Sequence, residues 1–255
     1  MVSRFLDSSN PIAFAHRGFA SGVPENSMAA FQRAVDLGYR YLETDARVTA
    51  DGVALAFHDV LLDRMTDMHG RVARRPWEEV RRARIGGTEP IPRLADVLAA
   101  WPECFVNVDV KSDGAVPATL DTLARTRASD RVCIAAFSDR RLAVLRKSLG
   151  PGVCTALGPL EVSRLRVMGW RQSRAEPVFG PGRAAQVPMR IGPVPFVDTR
   201  LVAAAHDRGL AVHVWTVNDA ADMQTALDLG VDGVMTDRAD VLRGILEERD
   251  AWPTR

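Results

Sequence analysis

The sequence predicts a (β/α)8 barrel. Eight short apolar runs alternate with amphipathic stretches from one end to the other. The length of 255 residues is close to the roughly 250 typical of that architecture. Several of the strand-like runs end in polar residues, as barrel strands do at the rim that carries chemistry. An open doubly wound sheet is the rival. Its glycine fingerprint is missing, because the G-x-G-like stretch from Gly180 to Gly182 lies in a Pro-rich segment and opens no helix.

The first strand is expected over 12–16, followed by a helix over 27–37 that stops at Gly38. The second is expected over 41–48. An extra stretch, about 49–92, then separates it from its helix over 94–101. That stretch opens on an Asp51-Gly52 turn signal, continues into an apolar run over 53–57 and ends polar and Arg-rich. It reads as a small insertion on the catalytic end of one domain, 1–255. The third strand, 105–111, leads to a helix over 116–127. The fourth, 131–137, leads to a helix over 140–149, with Asp139 as the expected N-cap and Gly150 as the stop. The fifth and sixth strands are expected over 153–157 and 184–187, with a Pro/Gly-rich loop system over 177–195 around the sixth. A helix over 199–208 ending at Gly209, a strand over 211–217 and a helix over 220–229 come next. Asp219 caps the last of these and Gly230 ends it. A strand over 233–236 and a helix over 239–248 complete the set.

Composition narrows the function. Apolar residues make up 47% and charged residues 25%, enough to bury a core without disulfide or metal staples. Lys+Arg 33 against Asp+Glu 32 leaves net +1, which excludes a protein built mainly to coat nucleic acid or an anionic membrane. No run approaches the roughly 18 apolar residues of a spanning helix. Asp7, Ser8, Ser9 and Asn10 precede any apolar region, so no signal peptide is expected. Cys104, Cys133 and Cys154 form no C-x-x-C pair and read as buried free thiols. The expectation is a cytoplasmic protein with a small-molecule partner, no nucleic acid and no stable membrane insertion.

The strand ends carry the candidate chemistry. The first ends in His16-Arg17-Gly18 and the second contains Glu43-Thr44-Asp45. Residues i and i+2 share a face, so Glu43 and Asp45 point the same way. Two carboxylates side by side repel unless something positive lies between them, and a hard divalent cation, Mg2+ or Ca2+, suits oxygen ligands. In the third strand Val106, Val108 and Val110 make one face, Asn107, Asp109 and Lys111 the other. The polar set then faces the barrel interior, which is costly unless it is paired or binds metal. Asp109 becomes a third oxygen ligand and Lys111 a cation for a phosphate oxygen or a carboxylate. His58-Asp59 ends the apolar run of the insertion. With His16 it offers a pair able to divide general-base and general-acid work, as displacement at phosphorus requires. His213 and Trp215 share a face of the seventh strand; Trp215 offers an apolar wall for substrate or simple barrel packing. Gln186, at the end of the sixth, offers a hydrogen bond to substrate. His69 and His206 read as solvated.

The ordered string Ala15-His16-Arg17-Gly18, Pro24-Glu25-Asn26-Ser27, Ala30-Phe31, Glu43-Thr44-Asp45, Asp51-Gly52, His58-Asp59, Arg64-Met65-Thr66 and Gly70 resembles the glycerophosphodiester phosphodiesterase family. The match resumes at Asp109-Val110-Lys111, Trp215-Thr216-Val217-Asn218 and at Asp232 through Asp237. The resemblance implies one divalent cation, Mg2+ or Ca2+, on Glu43, Asp45 and Asp109, His16 and His58 as the acid–base pair, and Arg17 on phosphate. It implies hydrolysis of glycerophosphodiesters to sn-glycerol 3-phosphate and an alcohol, with the glycerol 2-hydroxyl attacking and water opening a cyclic phosphate. Two departures stand out: Asp109 occupies a position where the family commonly has Glu, and Ser27 one where it has Thr. The region 157–186, expected to line the substrate pocket, matches least. Two other readings differ in substrate or class: a phospholipase-D-like enzyme on lysophospholipid or sphingolipid phosphodiesters, and a non-catalytic barrel that binds phosphorylated ligands.

Overall fold

Eight parallel strands form where the apolar runs predict them: Ile12–His16, Tyr41–Val48, Phe105–Val110, Val132–Ala135, Cys154–Thr155, Ala184–Pro188, Ala211–Trp215 and Gly233–Thr236. They belong to a computed structural model that describes residues 4–171 and 180–252. The hydrogen-bonded order runs fifth, fourth, third, second, first, eighth, seventh, sixth. A parallel bridge between Ala156 and Ala184 joins the two ends, so the sheet closes into a barrel of eight parallel strands with helices between them. The valines of the third strand explain its orientation. Val106, Val108 and Val110 pack with Leu94, Leu98, Val116 and Leu123 of the outer helices, which turns Asn107 and Asp109 inward. At the N-terminal end of the barrel a short 3-10 turn, Arg4–Leu6, inserts Phe5 among Phe14, Tyr41 and Phe105, with ring centroids 5.4–6.0 Å apart. These edge and stacked contacts plug that end with apolar surface, leaving the other rim for polar groups.

Helix ends follow the local chemistry. Ser27 caps Met28–Asp36 by accepting from Ala30 N, and Asp219 caps Ala220–Asp228 by accepting from Ala221 N and Asp222 N. The expected cap at Asp139 is displaced by one residue. Ser138 caps Asp139–Leu149, and Asp139 instead accepts from Leu160 N at the start of the next helix. That next helix, Pro159–Arg171, has no counterpart among the sequence-based expectations. Its apolar residues are spread around the axis, with Leu165 buried but Leu160 and Val167 exposed, which blurs the 3.6-residue period. The fourth and fifth strands are shorter than expected, ending at Ala135 and Thr155.

The stretch 49–92 adds Ala54–Ala56 antiparallel to the second strand, then Val72–Arg74, Trp77–Val80 and a hairpin of Arg84–Ile85 with Glu89–Pro90. Leu55, Phe57, Leu62, Val80, Ile85 and Ile91 give it a small core of its own. The loop expected over 177–195 falls partly outside the described residues, at 177–179. Its described part holds the sixth strand and a hairpin of Arg190–Ile191 with Val194–Pro195.

Candidate active site

A cavity of about 490 Å³ opens at the C-terminal ends of the strands. All nine residues singled out in the sequence line it: His16, Arg17, Glu43, Asp45, His58, Asp109, Lys111, Gln186 and Trp215. The register shows why four of them converge. His16 pairs with Glu43, and Asp45 pairs with Asp109, across neighbouring parallel strands. Residues paired in this way point to the same face of the sheet. His58 arrives from the insertion, where Phe57 N donates to Asp45 O at 2.9 Å and Arg47 Nε donates to His58 O at 2.8 Å. Arg17 and Gly18 turn the chain away from the first strand with positive φ, +54° and +84°. At Gly18 a Cβ would stand 2.6 Å from the backbone of Ala30, so the tight approach of helix to rim requires glycine.

The charges are closely matched. Lys111 Nζ bridges Asp45 Oδ1 at 2.7 Å and Asp109 Oδ2 at 2.6 Å. Arg17 Nη1 donates to Glu25 Oε1 at 3.0 Å, and Arg17 Nε lies 3.1 Å from Asp45 Oδ2 as an ion pair without a directed hydrogen bond. Asn26 Nδ2 donates to the same Asp45 oxygen at 3.0 Å. Burial opposes ionisation of Asp45, but Lys111 and Arg17 outweigh it and hold the carboxyl below its ordinary value. Glu43 behaves oppositely: burial, and then the charge of Asp45, push it up to about 7.

Each histidine is held by a carboxylate. His16 Nδ1 lies 2.6 Å from Asp237 Oδ1, and His58 Nδ1 lies 2.7 Å from Asp59 Oδ1. Arg64, bonded to Asp59 through Nε and Nη2, holds that carboxyl down at about 2. Burial works against ionisation of Asp237, but its hydrogen bond to His16 keeps it below its ordinary value. An ionised carboxylate only accepts, so Nδ1 of each ring carries the proton and Nε2 is left for the cavity. Burial lowers His16, yet Glu43, with Nε2 at 3.7 Å, and Asp237 raise it above its ordinary value.

The donor set fits a hard cation in its chemistry. Three carboxylates, Glu43, Asp45 and Asp109, share one end of the cavity. Asp109 Oδ1 is buried with no hydrogen-bond partner. The charge of Asp45 adds to burial in raising Glu43, as carboxylates crowded together do. Among the described residues no three His, Cys, Asp or Glu side chains stand close enough to enclose an ion, with Lys111 occupying the space between Asp45 and Asp109.

The model of the "Glycerophosphoryl diester phosphodiesterase family" matches residues 16–241. The chain belongs to this family of phosphoric diester hydrolases. It is 41% identical to a Mycobacterium tuberculosis protein named "Probable glycerophosphodiester phosphodiesterase 2", covering 97% of this chain and 95% of that one. It is 29% identical to the glycerophosphodiester phosphodiesterase of Bacillus altitudinis, covering 92% and 98%. Among solved structures, an Oleispira antarctica phosphodiesterase in complex with the product sn-glycerol-3-phosphate superposes with a TM-score of 0.78 at 21% identity, covering 93% of this chain and 97% of that one. The barrel is thus that of other glycerophosphodiester phosphodiesterases.

Several site residues of this family member carry no role in the sequence reading. Asp237 is one, and Asn218 is another: its Nδ2 donates to Asp237 Oδ2 at 2.8 Å while its Oδ1 accepts from Asp237 N at 2.9 Å. Asp59, Arg64 and Glu25 form a third link, because Arg64 Nη2 also donates to Glu25 Oε1 at 2.9 Å. A chain of ion pairs therefore runs from Arg17 through Glu25, Arg64 and Asp59 to His58. The available signal was polar residues just beyond strand ends. Gln186 lines the cavity, but its amide donates to Asn107 Oδ1 at 2.8 Å and faces buried His213. His69 and His206 are exposed as expected, the latter paired with Asp232.

Proposed function

We propose that this chain hydrolyses glycerophosphodiesters to sn-glycerol 3-phosphate and an alcohol, with His16 and His58 moving the protons. One observation carries the reading: in a member of this family, both imidazoles, three carboxylates and two cations line a single cavity. Arg17 and Lys111, each fixed by carboxylates at the cavity wall, bind and orient the phosphate oxygens. One imidazole takes the proton of the attacking glycerol 2-hydroxyl as the new P–O bond forms. The other returns a proton to the alkoxide as the P–O bond to the alcohol breaks. Water then opens the cyclic phosphate, so one water is consumed overall. Glu43, Asp45 and Asp109 would hold one divalent cation, Mg2+ or Ca2+. When bound, that cation supplies positive charge against the phosphoryl oxygens and lowers the pKa of a hydroxyl.

The test uses His16→Ala and His58→Ala. Each lowers turnover by roughly 10²–10⁴, the usual worth of a positioned proton-transfer group. A nitrophenyl phosphodiester of glycerol needs no proton on departure. It restores turnover to the variant that lost the acid and leaves the other impaired. Near-native turnover by both variants would show that neither imidazole moves a proton.

A further inference from the structure

The cavity has a second half that this chemistry does not use. Its charged lining residues come from the first three strands and the insertion. The lining residues that follow the fourth to seventh strands include Phe137, Leu157, Val162, Ile191, Phe196 and Trp215, and none of them is charged. In the barrel order the sixth and seventh of these strands lie opposite the second and third, while the fourth is the third's neighbour, so the apolar side begins beside Lys111 and runs round to face the charged one. Phe137 is 64% exposed and Ile191 60%. Both sit at the rim, Phe137 edge-on to Trp215 at 5.5 Å and Ile191 on the hairpin beyond the sixth strand. Exposed apolar surface continuous with a polar pocket marks a place where hydrocarbon is bound.

We propose that this wall is a leaving-group subsite for an uncharged, apolar alcohol, so that glycerophosphodiesters of alkyl alcohols are preferred over those of ethanolamine; this rests on the glycerophosphodiester reading above. The glycerol arm carries hydroxyls that need partners, and the carboxylates, imidazoles and cations are all on the charged side. With phosphate held between Arg17 and Lys111, the other arm crosses to the apolar side. An ammonium there loses hydration with no carboxylate among the wall's residues to replace it. The ring of Phe137, the wall's most exposed aromatic, already has Lys111 Nζ 5.7 Å from its centroid. A second cation on that ring meets the charge of the first. A hydrocarbon chain meets no such cost, and each buried methylene tightens binding about fourfold.

The experiment measures KM and kcat on the intact protein for the sn-glycero-3-phospho esters of methanol, propanol, hexanol and ethanolamine. KM is expected to fall by about fourfold per methylene along the alkyl series, with kcat nearly constant, since the gain is uniform binding. Ile191→Ser is expected to raise KM for the hexyl ester by about tenfold more than for the methyl ester. A flat alkyl series, or ethanolamine as the best substrate, overturns the assignment. So does a flat series in which a 1-acyl lysophospholipid is favoured, because the hydrocarbon then sits on the glycerol arm. Turnover of none of these diesters refutes the reading of the reaction instead. The wall is then judged by calorimetric binding of the hexyl and ethanolamine esters, and equal affinities overturn it.

Discussion

Asp237→Asn isolates what holds His16 in place. The carboxylate accepts from His16 Nδ1 at 2.6 Å on one oxygen and from Asn218 Nδ2 at 2.8 Å on the other. An amide keeps only one acceptor. Its NH2 must face either the Nδ1 proton of His16 or the NH2 of Asn218, donor against donor. A hydrogen bond to a charged group contributes about 1.5–3 kcal/mol. Expressed wholly in the transition state, that is about a 10- to 150-fold loss of kcat at 1.36 kcal/mol per decade. Asp237 is not among the residues lining the cavity, so KM should change little. Steady-state kinetics on a glycerophosphodiester gives the split between kcat and KM. Nitrogen-15 spectra of the imidazole give an independent readout, the shift of the proton from Nδ1 to Nε2. Unchanged kcat together with an unchanged tautomer would refute the claim that Asp237 orients His16.

Removing divalent cations with a chelator should abolish turnover, and adding back Mg2+ or Ca2+ should restore it while raising Tm, because a cation among three carboxylates binds the folded state alone; full activity in a verified metal-free sample would remove the cation from the mechanism. His213 is fully buried, and burial lowers its pKa from 6.5 to about 4. The unfolded chain therefore binds more protons between these values, so stability falls as pH drops below 6.5 and the loss is complete below about 4. It amounts to about 2 kcal/mol at pH 5, read from urea midpoints, and His213→Asn should flatten that slope. Gly18→Ala should lower stability by about 1–3 kcal/mol from its φ alone and reduce turnover as well, since the new Cβ meets the Ala30 backbone beside Arg17. Wild-type urea midpoint and rate in this variant would contradict the close approach.

The parts of the site visible in the sequence are those that obey a local period. Asn107, Asp109 and Lys111 alternate with valines, so one face had to be polar and one apolar. The same two-residue rule aligned Glu43 with Asp45. What escaped the sequence depends on contacts between distant segments. Asp237 and His16 are 221 positions apart, so the matching stretch from Asp232 to Asp237 marked the residue without showing which side chain it would hold. The bridging place of Lys111 follows from the Asp45–Asp109 register, which no single strand specifies. Helix Pro159–Arg171 escaped because its apolar residues serve two masters, Leu165 the core and Val162 the cavity wall. Asp139 looked like a cap on composition, but Ser138 stands one residue earlier and does the capping.

Lys111 and Lys147 are the chain's two lysines, and their surroundings make them chemically unequal. Lys111, gripped by Asp45 and Asp109, remains an ammonium to higher pH than usual, despite burial that pulls the other way. Lys147 is exposed near the end of the outer helix Asp139–Leu149. An acylating reagent needs a free amine, so Lys147 reacts first. Apart from the α-amino group, the enzyme thus offers a single handle for attachment to a resin or a dye. Guanidinium groups, the other thirty-one of its basic side chains, ignore such reagents. Conjugation chemistry that disables many enzymes by consuming an essential lysine is therefore expected to leave this active site intact.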